Sequence, residues 1–200
     1  MSVLLLGCVI GGCKRRQGGA TEEGSMPQTI AGKKVVMIIA SQNFRDEELF
    51  ETRRVLESAG AKVTVASTTT QQAVGMLGGK ARPDVLLKNV SARDYDAVVF
   101  VGGSGAAQYW DDPIAHKLAS DAAAAGKVVA AICIAPVTLA RAGLLKGKKA
   151  TVWKSQMSDL TKGGAVCTSA SVETDGKIVT ADGPSSAAAF GKAIIKALSD

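Results

Sequence analysis

The sequence predicts a doubly wound α/β sandwich: a mostly parallel sheet with helices on both faces. Three observations point there. Val35-Val36-Met37-Ile38-Ile39-Ala40, Ala97-Val98-Val99-Phe100-Val101 and Val128-Val129-Ala130-Ala131-Ile132 are continuous apolar runs. Strands covered on both faces read this way, whereas strands with one wet face alternate. Segments of helical periodicity separate the runs, so strand and helix alternate along the chain. Aromatic residues are only 4% of a chain that is 46% hydrophobic, which suits close helix-on-sheet packing better than an aromatic-rich sandwich of two sheets.

The elements follow in order from Lys33. The first strand is 35–40. Residues 46–59 make an amphipathic helix that stops at Gly60, and 61–66 is the next strand. Residues 70–90 contain Gly75, Gly78, Gly79 and Pro83 and read as short strands or a hairpin. The strand 97–101 ends in Gly102-Gly103-Ser104-Gly105. A helix from Pro113 to Ala125 takes Asp111 or Asp112 as its N-cap. Strand 127–132 leads into a helix from Ile134 to about Ala142. After Ala150-Thr151-Val152-Trp153 come a short helix and a strand pair between Cys167 and Val179 that turns at Asp175-Gly176. A helix from Ser185 to Leu198 ends the chain.

Residues 1–30 differ from this domain at 31–200. Val3-Leu4-Leu5-Leu6 is an apolar run too short to span a bilayer, and a Gly-rich, charged stretch follows it. Leu5-Leu6-Gly7-Cys8 resembles a bacterial lipobox, which would make Cys8 a lipidated N-terminus; Ile10-Gly11-Gly12-Cys13 is a poorer match. No Lys or Arg precedes the run, so the basic flank of such signals is missing. On this reading 14–30 is a flexible tether, and the chain is membrane-anchored or periplasmic; without lipidation it is cytoplasmic. The net charge of +6 comes partly from Lys14, Arg15 and Arg16. With no basic stripe interleaved with aromatics, nucleic acid is not an expected partner. The four cysteines and the single histidine show no metal-ligand spacing, so neither a metal nor another cofactor is expected. Cys167 reads as a small hydrophobe in a strand.

In a doubly wound sheet the site lies at the carboxyl ends of the strands, where Cys133, Gly102-Gly103 and the loop Ser41–Arg45 all fall. Cys133 stands at a strand-to-helix corner with small Ala131 and Ala135 two residues to either side, the pattern of a nucleophile elbow. A thiol at a helix N-terminus is expected to favour thiolate. The backbone N–H of Ile134 is then a natural oxyanion donor, and the Gly102-Gly103 loop can offer a second. Helical phase selects the acid. Glu47 shares a solvent face with Glu51, Arg54 and Ser58, and Asp46 a mixed face with Phe50, Arg53 and Glu57. Glu48 lines up with Thr52, Val55, Leu56 and Ala59 and points inward. Beside a thiolate it should not ionise fully, so the pair would share a proton. His116, off the apolar stripe of its helix, reads as a surface residue, and a Cys-His-Asp triad is not expected.

Ala131-Ile132-Cys133-Ile134-Ala135-Pro136, Val99-Phe100-Val101-Gly102-Gly103, Phe44-Arg45-Asp46-Glu47-Glu48-Leu49 and Gly183-Pro184, in this order, resemble the DJ-1/PfpI superfamily over about residues 33–198. The resemblance implies a flavodoxin-like sandwich, usually a homodimer, with a reactive Cys133, a protonated Glu48 and oxyanion-hole amides from Gly103 and Ile134. Ile134 stands where the protease-like branch has histidine, Trp153 near where some members have another, and Asp182 where many have arginine. The expected activity is therefore glyoxalase- or deglycase-type chemistry on small aldehydes or glycated substrates in stress protection. A non-catalytic redox sensor or chaperone-like stress protein with an oxidisable Cys133 is the alternative, and a cysteine amidase or peptidase is a weaker one.

Overall fold

A computed structural model of the chain describes residues 1–2 and 29–200. The apolar run at 3–6, Cys8, Cys13 and nearly all of the expected tether lie outside the described residues. In chain order the elements are β1 (Lys34–Ile38), β2 (Gln42–Phe44), α1 (Asp46–Ser58), β3 (Lys62–Ser67), β4 (Ala73–Gly75), β5 (Lys80–Ala81) and β6 (Val85–Leu86). Then come β7 (Ala97–Phe100), α2 (Pro113–Ala124), β8 (Val128–Ile132), α3 (Pro136–Arg141), β9 (Lys149–Ala150) and α4 (Met157–Lys162). The last are β10 (Val166–Cys167), β11 (Val172–Asp175), β12 (Ile178–Ala181) and α5 (Ala187–Ser199).

Seven strands form the central sheet in the order β11-β12-β8-β7-β1-β3-β6. Every pair is parallel except β11–β12. The chain starts in the middle at β1, winds outward through β3 and β6, then returns to build β7, β8 and β12 on the other side. The winding reverses between β1 and β7, and such switch points open a crevice at the carboxyl edge. This is the doubly wound, flavodoxin-like sandwich the sequence predicts.

The apolar runs are continuous because alternate residues feed two different cores. Val36, Ile38, Val98, Phe100, Val129 and Ala131 pack with Leu118 of α2, Leu139 of α3 and Leu160 of α4. Val35, Met37, Ile39, Val99, Ala130 and Ile132 pack on the opposite face with Leu49 and Leu56 of α1 and Phe190 and Ile194 of α5. Asp112, not Asp111, caps α2: its Oδ1 accepts from the N–H groups of Ile114 and Ala115 at 2.7 and 3.1 Å, with Pro113 opening the helix. Asp111 pairs with Arg141 instead.

Four expectations need adjustment. First, α3 begins at Pro136 rather than Ile134, because residues 133–135 form a turn and proline sits readily at the first helical position. Second, the antiparallel pair near the C-terminus is β11–β12, while Cys167 lies in β10, which pairs with β9 in a sheet of its own. Third, Asp46 is buried: its carboxylate accepts from Leu77 N–H and Gly79 N–H at 2.8 and 2.6 Å and so holds the β4–β5 turn. That turn belongs to a small sheet of β2, β4 and β5, which accounts for the irregular 70–90 region. Fourth, Ile30 is buried and its N–H donates to Ala59 O at 2.9 Å, so packing starts one residue before the expected boundary. Among the described residues no helix is long and apolar enough to cross a membrane.

Candidate active site

β8 ends in an abrupt corner. The Cys133 N–H still pairs with Ala181 O of β12 at 2.9 Å, but its backbone turns to a left-handed φ of 63°. For a residue with a side chain that conformation costs about 1–2 kcal/mol. It swings the sulfur out of the strand direction toward the crevice. Buried Ala131 and Ala135 leave space for the turn.

α1 delivers Glu48 from the other side of the switch point. Its carboxyl is fully buried, on the same inward stripe as Thr52 and Leu56. Oε2 accepts from Gly102 N–H at 2.9 Å, while Oε1 has no hydrogen-bond partner. Gly102, just past β7, separates acid from thiol. A Cβ there would lie 2.5 Å from Glu48 Oε2 and 2.6 Å from the Cys133 Cβ, so only glycine lets the two groups meet. Gly103 follows with φ 93°.

Two amides complete the arrangement, and each is aimed by the carbonyl of its own peptide plane. In a trans peptide C=O and N–H point in opposite directions. Gly102 O accepts from Arg45 N–H at 3.0 Å, which fixes the plane carrying Gly103 N–H. Cys133 O accepts from Trp153 N–H at 2.8 Å, which fixes the plane carrying Ile134 N–H. Both N–H groups act on the sulfur and pull the thiol pKa down.

Larger effects oppose them. Burial pushes the Cys133 thiol up to about 12, and the charge of Glu48 adds to that rise. The expected lowering by a helix N-terminus fails for a structural reason: α3 has only six residues and starts three positions beyond the sulfur. Burial also raises Glu48 to about 7, against the opposing hydrogen bonds from Cys133 and Gly102. Two anions this close in a dry site repel strongly, so at neutral pH the pair carries at most one negative charge. A thiolate is favoured only while Glu48 keeps its proton.

A cleft of about 390 Å³ opens over Cys133, bordered by Arg45, Met76, Trp110, Ile134, Trp153 and Pro184. The cysteine itself is only 8% exposed and borders this cleft. A second cleft of about 580 Å³ shares Trp153 and is bordered by Lys154, Thr168 and Asp182. Sequence reasoning named Cys133, Glu48, Gly103 and Ile134, and the fold brings all four together. It missed Arg45 and Trp110 as cleft residues and gave Trp153 no place in the wall. The one usable signal was that the chain has only two tryptophans, each in a connection that follows a strand. His116 is half-buried rather than on the open surface; its Nε2–H donates to Trp110 O at 2.7 Å, away from the thiol. Among the described residues no cluster of three or more His, Cys, Asp or Glu is arranged to hold a metal.

Comparison with known proteins agrees with this geometry. The chain matches the DJ-1/PfpI family over residues 33–197. An uncharacterized protein of Methanocaldococcus jannaschii is 43% identical over 181 residues, covering 89% of this chain and 88% of that protein. The crystal structure of a ThiJ/PfpI domain protein from Brachyspira murdochii superposes with a TM-score of 0.82 at 38% identity, covering 84% of this chain and 97% of that one. A Caenorhabditis elegans relative named glutathione-independent glyoxalase is 25% identical, covering 84% of this chain and 90% of that protein. Relatives from Pyrococcus species at 28–29% identity are named deglycases. A match of this extent, on a fold and a strand-end cysteine already visible in the coordinates, makes the chain a member of the DJ-1/PfpI family.

Proposed function

We propose that the protein is a cysteine-dependent enzyme converting small α-oxoaldehydes such as methylglyoxal to 2-hydroxy acids. The single observation that supports this best is the meeting of Cys133, buried Glu48 and the amides of Gly103 and Ile134 at one crevice. Relatives named glyoxalase and deglycase support the same reaction class. In this reading the thiolate forms a C–S bond with the aldehyde carbon, and the developing alkoxide is held by the two amides. Glu48, raised to about 7, gives its proton to that alkoxide and then, as a carboxylate, carries the proton from the same carbon to its oxo neighbour through an enediol. The product is the thioester of the 2-hydroxy acid. Water then breaks the C–S bond and restores the thiol, so no outside oxidant or reductant is consumed. Purified protein should convert methylglyoxal to lactate, and Cys133→Ser should lower kcat by roughly 10³-fold or more. A serine variant with full activity would overturn the mechanism.

A redox role for the same cysteine is a second reading. It is favoured by the buried Glu48 carboxyl, whose Oε1 has no partner and whose Oε2 lies at Gly102 next to Cys133; once protonated, that carboxyl can donate to a sulfinate. Mild peroxide should then add two oxygens selectively at Cys133 by mass spectrometry, in a protein that turns over no aldehyde. Peptidase chemistry has no support from the site. Ile134 follows the cysteine, and His116 is committed to Trp110.

A further inference from the structure

We infer that the cleft over Cys133 is built for oxoaldehydes whose substituent is a flat apolar group about the size of phenyl, rather than for methylglyoxal itself. This specificity rests on the reaction proposed above and adds the class of substrate. Both tryptophans of the chain border this one cleft. Neither indole is loosely placed. The Trp110 Nε1–H donates to Ile134 O at 3.1 Å, and the Arg141 guanidinium lies 5.2 Å from the ring centroid. Arg141 is itself held by Asp111 and Asp159. The Trp153 ring lies against Gly183, where a Cβ would come within 2.8 Å of Cε3. Its backbone is tied to Cys133 O. Even so, Trp153 is 46% exposed, which leaves much of the residue in water where it borders the cleft.

Met76, Ile134 and Pro184 continue the apolar wall, with Arg45 as its one cation. A volume of about 390 Å³ falls in the range of pockets that enclose drug-sized ligands. The five heavy atoms of methylglyoxal leave most of it empty. Rigid aromatic walls lose little entropy when they meet a flat ligand, and burying a ring against them removes apolar surface from water. A hydrophobic pocket discriminates by a factor of about 10–200 per missing methylene-sized group, so a phenyl-for-methyl exchange should be read clearly.

Binding is tested without turnover in Cys133→Ser protein by calorimetric titration with pyruvate and benzoylformate, which share the oxo-acid group and differ only as methyl and phenyl. Benzoylformate should bind roughly tenfold more tightly or better. Trp153→Ala and Trp110→Ala should each shrink the ratio, and Trp110→Phe, which keeps a ring at that wall, should restore most of it. Thermal melts identify any variant that has failed to fold, and Trp110→Phe keeps the comparison available in that case. Equal affinities, no binding of either acid, or a preference untouched by both alanine variants would overturn the inference. Wild-type kcat/KM for phenylglyoxal against methylglyoxal separates the two proposals. If benzoylformate binds preferentially but neither aldehyde is consumed, the reaction fails and the specificity stands. If both aldehydes are consumed at equal kcat/KM and both acids bind alike, the reaction stands and the specificity fails.

Discussion

Two neighbouring strands of the same sheet end in left-handed residues, and they solve the same geometric problem differently. β7 turns at Gly103 with φ 93°, where glycine has no side chain to clash. β8 turns one strand over at Cys133 with φ 63°, where a β-carbon is held in a conformation it disfavours. The first turn supplies only backbone: the N–H of Gly103 and the space at Gly102. The second supplies a side chain, and backbone relief was not available without losing the sulfur. Strain sits where the chemistry needs an atom and is absent where it needs only an amide.

Substitutions at three positions probe this contrast. The largest effect is expected from Glu48, which accepts from the N–H of one turn and faces the sulfur of the other. Glu48→Gln should lower aldehyde turnover by roughly 10²-fold or more. The same change removes the negative charge that opposes the thiolate, so alkylation of Cys133 by iodoacetamide at pH 8 should become faster. It should also alter the pH dependence of stability. Glu48 binds its proton more tightly folded, at about 7, than at its ordinary 4.5. The stabilisation is therefore full below pH 4.5 and is lost as pH rises through 7. That loss, on the order of 3 kcal/mol, should appear in wild-type denaturation curves and vanish in the variant.

Gly103→Ala comes next. Its new Cβ would meet the Asn43 carbonyl and the Arg45 N–H, on top of the φ penalty. A destabilisation of roughly 3 kcal/mol is expected in urea titrations; a loss under 1 kcal/mol would mean that the two turns are not different in kind. The smallest effect isolates the strain at the other turn. Cys133→Gly and Cys133→Ala both remove the sulfur, yet the glycine variant should be the more stable by about 1 kcal/mol. The reverse order would show that Cys133 is not strained.

The sequence carried the layers of the fold because β1, β7 and β8 are apolar and buried on both sides, and it carried Glu48 because Thr52 and Leu56 repeat its phase along α1. What stayed hidden depends on partners distant in the chain. Asp46 looked half-exposed by helical phase, but its true partners are the N–H groups of Leu77 and Gly79, more than thirty residues away. Trp110 is held at the cleft by Ile134 O and by Arg141 over its ring, partners twenty-four and thirty-one residues further on. The thiol was expected to be acidic because the pattern shows a corner followed by a helix. Neither the depth of burial nor the late start of α3 at Pro136 can be read from that pattern.

Trp153 contributes two different parts of itself to the crevice: the ring that walls the cleft and the N–H that pins Cys133 O. The cleft wall and the geometry at the cysteine corner therefore meet in one residue. The ring borders the space a ligand would enter, while the N–H fixes the peptide plane that carries the amide of Ile134. A substitution that displaces the Trp153 backbone should therefore disturb the cleft wall and the plane of the Ile134 amide together.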